Sequence, residues 1–300
     1  MSKNKEQELK KRNTELKIQV AGKARQLKIE TALEKVRAVA MSMKQPADML
    51  KICKTISLQL QSLGVLEIRN VQTAIFYESK GTYMNYEYYA KHNKTFITET
   101  IYTNHKIAKA FAEKMLKGRG EFYNTHIKGK KVKDWIAYQK KTNVFIDKYL
   151  NTAPSLNYYW YSLGPVALGI SAYHPLTEEE TNLFKRFLKV FGLAYRRYLD
   201  IEQAIAQARE AKIEAALERV RSRTMAMFKT DELNEVVFEF FNQMNPLGFA
   251  QWACIIALAD EDKGGFNEWL STPTDRVLPE CYHIPKLDHP AFEKNVVSVY

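Results

Sequence analysis

No run of about 18 apolar residues occurs in this 300-residue chain, so no segment has the length and apolarity to cross a membrane as a helix. The opening stretch MSKNKEQELKKRNTELK is charged and lacks an apolar core segment, so it does not read as a secretory signal. Cysteine is scarce. Cys53, Cys254 and Cys281 are widely spaced and odd in number, which argues against a disulfide framework and for a reducing, cytoplasmic setting. No cysteine pair is spaced like a zinc site. The six histidines include no pair at helical spacing and no HExxH, so a metal site is not expected. A GxSxG elbow is missing too. The glycine–lysine stretches KGRG (117–120) and KGKK (128–131) match no phosphate loop, and LSTPTD (270–275) has no nucleophile–base arrangement beside it. No catalytic site is expected, and no cofactor is identifiable.

What is present suits folded domains. The chain is 46% hydrophobic and 12% aromatic, and its length fits about two domains. Its net charge of +11 is concentrated in two places. Residues 1–44 hold 12 Lys/Arg against 5 Asp/Glu, and residues 106–133 hold 9 against 2. A solvated helix and a solvated loop account for both patches. As functional surfaces they would meet nucleic acid or a membrane surface.

One phrase occurs twice. IETALEKVRAVAMSM starts at Ile29 and IEAALERVRSRTMAM at Ile213, an offset of 184 residues with nine of fifteen positions identical. The register persists: Leu63-Gly64 falls on Leu247-Gly248, after an apolar-periodic stretch and before a strand-like run in each copy. So long a period implies duplicated domains rather than a solenoid. The second copy reaches Tyr300 at a point matching about residue 116 of the first, so it is expected to be a truncated module of a longer protein.

The first copy reads as helix, strands and helix. Residues 5–44 predict one long helix ended by Pro46, and 46–62 a second, with Gly64 as its stop. NVQTAIFYE and TYMNYEYYA flank the turn SKG as a hairpin. Helices are expected over 104–117 and 133–150, and a second strand pair around Gly164-Pro165. Thr177 with Glu180 forms a capping-box pattern. No proline follows until Pro246, so this helix is expected to run on into the second copy for about fifty residues, roughly 75 Å. Its narrow stripe, Ile205, Ala208, Ile213, Ala216 and Val220, predicts pairing with the same helix of a second chain, making a homodimer.

The most aromatic stretch is NYYWY, residues 157–161. On a strand, Tyr158 and Trp160 would face one side, Tyr159 and Tyr161 the other. Sheet packing under a helix accounts for such rings. As a pocket wall they would stack a planar small-molecule ligand. Tyr86 and Tyr88 in the hairpin, and Trp269 in the second copy, complete the candidate pocket set.

GPVALGISAYHPLTEEETNLFKRFLKVFGLAYRRYLDIEQA resembles the closing stretch of a GAF domain. The phrase IEAALERVRSRTMAM is similar to the helix preceding GAF-like input modules of signalling proteins in Bacteroidetes-type bacteria. The resemblance runs from about residue 29 to 300. It implies an α+β fold: GAF-like domains with a central antiparallel sheet and flanking helices, joined by long helical linkers. The expected division is 1–45 as a coiled-coil-like N-terminal helix, 46–196 as a first GAF-like domain, 197–229 as a linker helix, and 230–300 as a second, truncated one. It implies the input region of a sensor histidine kinase, relaying a ligand or partner state to a downstream kinase or other output domain. The chain has no phosphoacceptor helix, no ATP-binding boxes, no Asn-Lys-Phe-Asp-Glu motif and no clear bilin-attachment cysteine. The alternative is a nucleic-acid-associated regulator using helix 1–44 and loop 106–133. The lack of a helix-turn-helix or RNA-binding motif argues against it.

Overall fold

A computed structural model describes residues 2–141, 144–153, 155–272 and 281–286. Packing divides the chain into two units, Met1–Gln203 and Ala204–Tyr300. Among the described residues, no helix is long and apolar enough to cross a membrane.

Unit one is α+β. Its first helix, α1 (Ser2–Met41), is exposed on every side over residues 5–28. It then turns apolar: Ile29, Ala32, Leu33, Val36 and Ala40 recur at helical spacing and are all buried. The turn out of α1 is closed by Asp48, whose carboxylate accepts from the backbone N–H of Lys44 at 2.8 Å and Gln45 at 3.2 Å. Helix α2 (Met49–Ser62) follows. It ends where Gly64, at φ +103°, donates to the Gln61 carbonyl and Val65 donates to that of Leu60, both at 3.0 Å. That paired closure needs a left-handed residue, which glycine adopts without strain.

Six antiparallel strands come next: β1 (Ile68–Tyr77), β2 (Thr82–Tyr89), β3 (Lys94–Ile101), β4 (Arg119–Lys128), β5 (Ser155–Leu163) and β6 (Val166–Ala172). They lie in the order β3-β2-β1-β6-β5-β4. Helices α3 (Lys106–Met115) and α4 (Lys130–Gln139) flank β4 in sequence. The last helix, α5, spans Glu178–Met225. One sheet face packs on α1, α2 and the start of α5 through Val36, Ile52, Ile56, Val71, Leu168 and Phe187. The other packs on α3 and α4 through Phe76, Phe111, Met115, Trp135 and Trp160. The expected capping box at the start of α5 forms: Glu180 N–H donates to Thr177 Oγ1 at 3.2 Å, and Thr177 N–H donates to Glu180 Oε2 at 2.8 Å.

Several expectations change. The basic segment 106–133 is not a loop but α3, β4 and the start of α4, because β4 pairs with β5 along its length. The helix expected over 133–150 stops at Gln139, and residues 144–147 are irregular chain. β3 was not expected either. The N-terminal helix is not separate from the first domain: from Ile29 onward it is part of that domain's core.

Unit two holds the α5 residues from Ala204 onward, α6 (Leu233–Met244) and an antiparallel sheet of β7 (Cys254–Ala259), β8 (Phe266–Ser271) and β9 (Tyr282–Ile284), ordered β7-β8-β9. It repeats several of the turn hydrogen bonds at the start of unit one. The Phe228 N–H donates to Glu232 Oε2 at 3.1 Å, where Lys44 and Asp48 stand 184 residues earlier. Gly248 at φ +91° donates to Asn245, and Phe249 to Met244, as Gly64 and Val65 do to Gln61 and Leu60. The duplication read from the sequence is therefore also one of local structure. Residues 273–280 and 287–300 of the expected second domain lie outside the described residues.

Candidate functional site

The sheet face under α3 and α4 is not fully filled. A cavity of about 50 Å³ opens there, room for a few ordered waters. Strand alternation chooses its lining. Residues Tyr83, Asn85 and Glu87 of β2 and Tyr158 and Trp160 of β5 point into it. Phe111 from α3, Trp135 and Tyr138 from α4, and Tyr123 from β4 close the other sides. Trp160 fits because its cross-strand partner is Gly169: a Cβ on Gly169 would come within 2.3 Å of the indole. The Trp135 indole N–H donates to the Tyr158 hydroxyl at 2.8 Å, fixing both rings.

A charged network lies behind the cavity. Arg69 Nε donates to Asp147 Oδ2 at 2.7 Å, with both side chains buried. The same guanidinium reaches the Phe145 carbonyl at 3.3 Å and stands over the Tyr89 ring. Asp147 also accepts from the Tyr173 hydroxyl at 2.8 Å and from the backbone N–H groups of Tyr149 and Leu150, each at 2.9 Å. This carboxylate therefore pins the irregular stretch after α4 to the sheet. Burial works against its ionised form, but Arg69 and those hydrogen bonds outweigh it, so its pKa lies below the usual value. Glu87 has the opposite balance. Burial raises its pKa, and the Arg69 charge with hydrogen bonds from Tyr89, Thr98 and Asn70 offsets this only in part. Its Oε1 accepts from Asn70 at 3.1 Å and Tyr89 at 3.0 Å, while Oε2 accepts a longer bond of 3.4 Å from Thr98.

The structure divides the candidate pocket set. Tyr158 and Trp160 line the cavity, with Tyr159 and Tyr161 on the opposite side as the alternation predicts. Tyr86 and Tyr88 do not line it: they lie at even positions of β2 and pack under the α1–α2–α5 layer, where Tyr86 meets Tyr198. Trp269 is buried in unit two on β8, the strand packed on α6, and lines no cavity described in this structure. The proposed relay stripe also divides. Ile205 and Ala208 are exposed, Ile213 and Val220 are half-buried and Ala216 is buried. The matching Ile29, Ala32 and Val36 lie in unit one's own core. Arg219 donates to Gln243 at 2.9 Å and Arg223 pairs with Glu235, so this part of α5 is tied to α6 of its own unit. Within its own unit Ala216 is therefore covered, whereas Ile213 and Val220 are covered only in part.

Glu87, Gln72, Phe111 and Trp135 are cavity residues that sequence reasoning did not single out. The signal for Glu87 was a lone carboxylate in the otherwise uncharged strand TYMNYEYY. Among the described residues, no group of three or more His, Cys, Asp or Glu could hold a metal ion. No family model matches the chain, and no curated protein matches it at a significant level.

Proposed function

We propose that the chain is the cytoplasmic input region of a bacterial signalling protein, in which GAF-like modules sense a small molecule and pass the result along helices to an output domain such as a histidine kinase. One observation carries this reading: β5 serves both faces of the unit-one sheet. Trp160 reaches the cavity, and the next residue, Tyr161, packs on Phe184 of α5 with ring centroids 5.8 Å apart. A ligand that shifts Trp160 therefore bears on a strand whose other side supports the outgoing helix. Such a shift would act by favouring one of two packings of the helical layer. The repeat agrees with a tandem input array, since the second copy begins within the same α5 that leaves the first. Homodimerisation belongs to the proposal, with the exposed Ile205 and Ala208 as its candidate seam.

A thermal-shift screen of small molecules on the full chain tests it. A true ligand stabilises unit one by RT ln(1 + [L]/Kd), about 2.7 kcal/mol at a hundredfold excess over Kd. Hits should be lost when Trp160 is replaced by Leu. A screen whose hits survive that change, or which finds none, counts against a sensory cavity in unit one.

A further inference from the structure

Helix α1 carries two apolar stripes, and the core of unit one uses one of them. Ile29, Ala32, Val36 and Ala40 are buried in that core. On the same stretch Arg25 pairs with Glu179, and Gln26 accepts from Arg186 at 2.7 Å. Leu9, Leu16, Val20 and Leu27 form the second stripe. They are spaced by seven, four and seven residues and are between 51% and 70% exposed. At about 100° per residue, Leu27 lies about 200° around the helix from Ile29, so this stripe points away from the core. Asn13 and Lys23 fall on the same line. Two positions in seven is the spacing of a coiled-coil seam, and a polar residue within a seam fixes its register at some loss of stability. A helix lying on a membrane needs a broader apolar face.

The residues beside the stripe decide what can cover it. In the heptad that the stripe sets, the flanking positions over residues 5–19 are Lys5, Lys10, Arg12, Lys17 and Gln19, four cations and no carboxylate. Glu8 and Glu15 fall outside the flanks. Glu6, at the outer end of the stripe, holds Lys10 at 2.7 Å in an exposed pair of a kind that contributes little. A second copy of this helix would set cation against cation. Parallel pairing brings Lys5 to Lys10 and Arg12 to Lys17 of the other chain, and antiparallel pairing brings like flank to like flank. We propose that residues 5–27 of α1 dock an acidic amphipathic helix of another protein. Its apolar seam lies on Leu9, Leu16, Val20 and Leu27, and its carboxylates meet Lys5, Lys10, Arg12 and Lys17. The buried part of α1 already nucleates the helix, so the partner has only to cover the stripe, over roughly 35 Å.

Two labelled peptides of three heptads test this on the full chain. Both carry Leu and Val along the seam and Asn opposite Asn13. One has Glu at every flanking position, the other Lys. At low salt the Glu peptide should bind at least about tenfold tighter by fluorescence anisotropy, because four attractive pairs replace four repulsive ones. Leu16→Gln should weaken the Glu peptide about tenfold or more, and the domain should stay folded because Leu16 is exposed. Reversing two flanks with Arg12→Glu and Lys17→Glu should bring the preference below about threefold. Equal binding of the two peptides, or binding of neither, overturns the proposal. Tight binding of the Glu peptide that survives Leu16→Gln also overturns it, because a merely basic face, open to duplex DNA as well, would act by charge alone. A self-associated chain that Leu16→Gln dissociates would make a second copy the occupant and overturn it likewise.

Discussion

Val36 is fully buried in unit one, whereas Val220, its partner 184 residues on, is only half-buried in unit two. Ile29 and Ile213 differ in the same way. The helices around them are closed by matching hydrogen bonds in both copies, one of the two at Asp48 recurring at Glu232 and both at Gly64 recurring at Gly248. Local closure and burial are thus separate levels. A cap is made by residues within a turn of one another, so a copied phrase brings its caps with it. Burial depends on elements far along the chain. In unit one, β6 and the start of α5 complete the layer over α1 and α2. Among the described residues, unit two has α6 and three strands to do this, and Trp252, Ile255 and Leu258 stay exposed. A second contrast is chemical: the position matching Arg69 in unit two is Ala253, so the buried ion pair has no copy there.

The sharpest way to separate the copies is through that ion pair. Arg69→Met leaves Asp147 buried without its partner, and should lower unit-one stability by about 3–5 kcal/mol. Urea unfolding followed by the tryptophan signal of unit one should show the loss. Substituting Ala253 by Met should leave that transition in place, and a matching loss there would break the distinction. Next in size is Ile29→Ala, expected to cost about 2–5 kcal/mol because the site is closed. Ile213→Ala should cost about 1 kcal/mol or less, since its site is half open. Equal costs would mean that unit two is covered as fully as unit one.

Gly169→Ala comes third. The new Cβ would overlap the Trp160 ring, so the indole must shift, at about 1–3 kcal/mol. A displaced emission maximum with a retained fold is the expected signature, and an unchanged spectrum would contradict the close packing. The smallest effect concerns the turn at Asp48. A hydrogen bond with Lys51 and the backbone N–H of Lys44 lower its pKa to about 2. The group therefore contributes stability above its unfolded pKa of about 3.9, and that contribution is lost as pH falls through about 2. Stability curves of wild type and Asp48→Asn should converge between these two values, and parallel curves would remove the role given to this carboxylate.

Much of the architecture was legible because it is local. The Thr177–Glu180 box, the continuous α5 and the alternation in NYYWY all rest on residues close in sequence, and the repeat shows by direct comparison of its two copies. The missed features are long-range. Arg69 meets Asp147 across 78 positions, and neither residue marks the other in the sequence. β4 lies in a basic stretch and is a strand because β5 pairs with it. Tyr86 and Tyr88 were placed by residue type, whereas their face is set by the parity of β2 against Glu87. The cavity itself was half legible: β5 showed its alternation, but α3 and α4 supply the opposite wall.

Hydrogen exchange on the full chain with and without a saturating ligand from the thermal-shift screen tests the central claim most directly. If the cavity communicates with the outgoing helix through β5, exchange should slow in Ser155–Leu163 and change in α5 between Glu178 and Ile201. Protection confined to β2, α3 and α4, with α5 unaltered at full occupancy, would contradict the account.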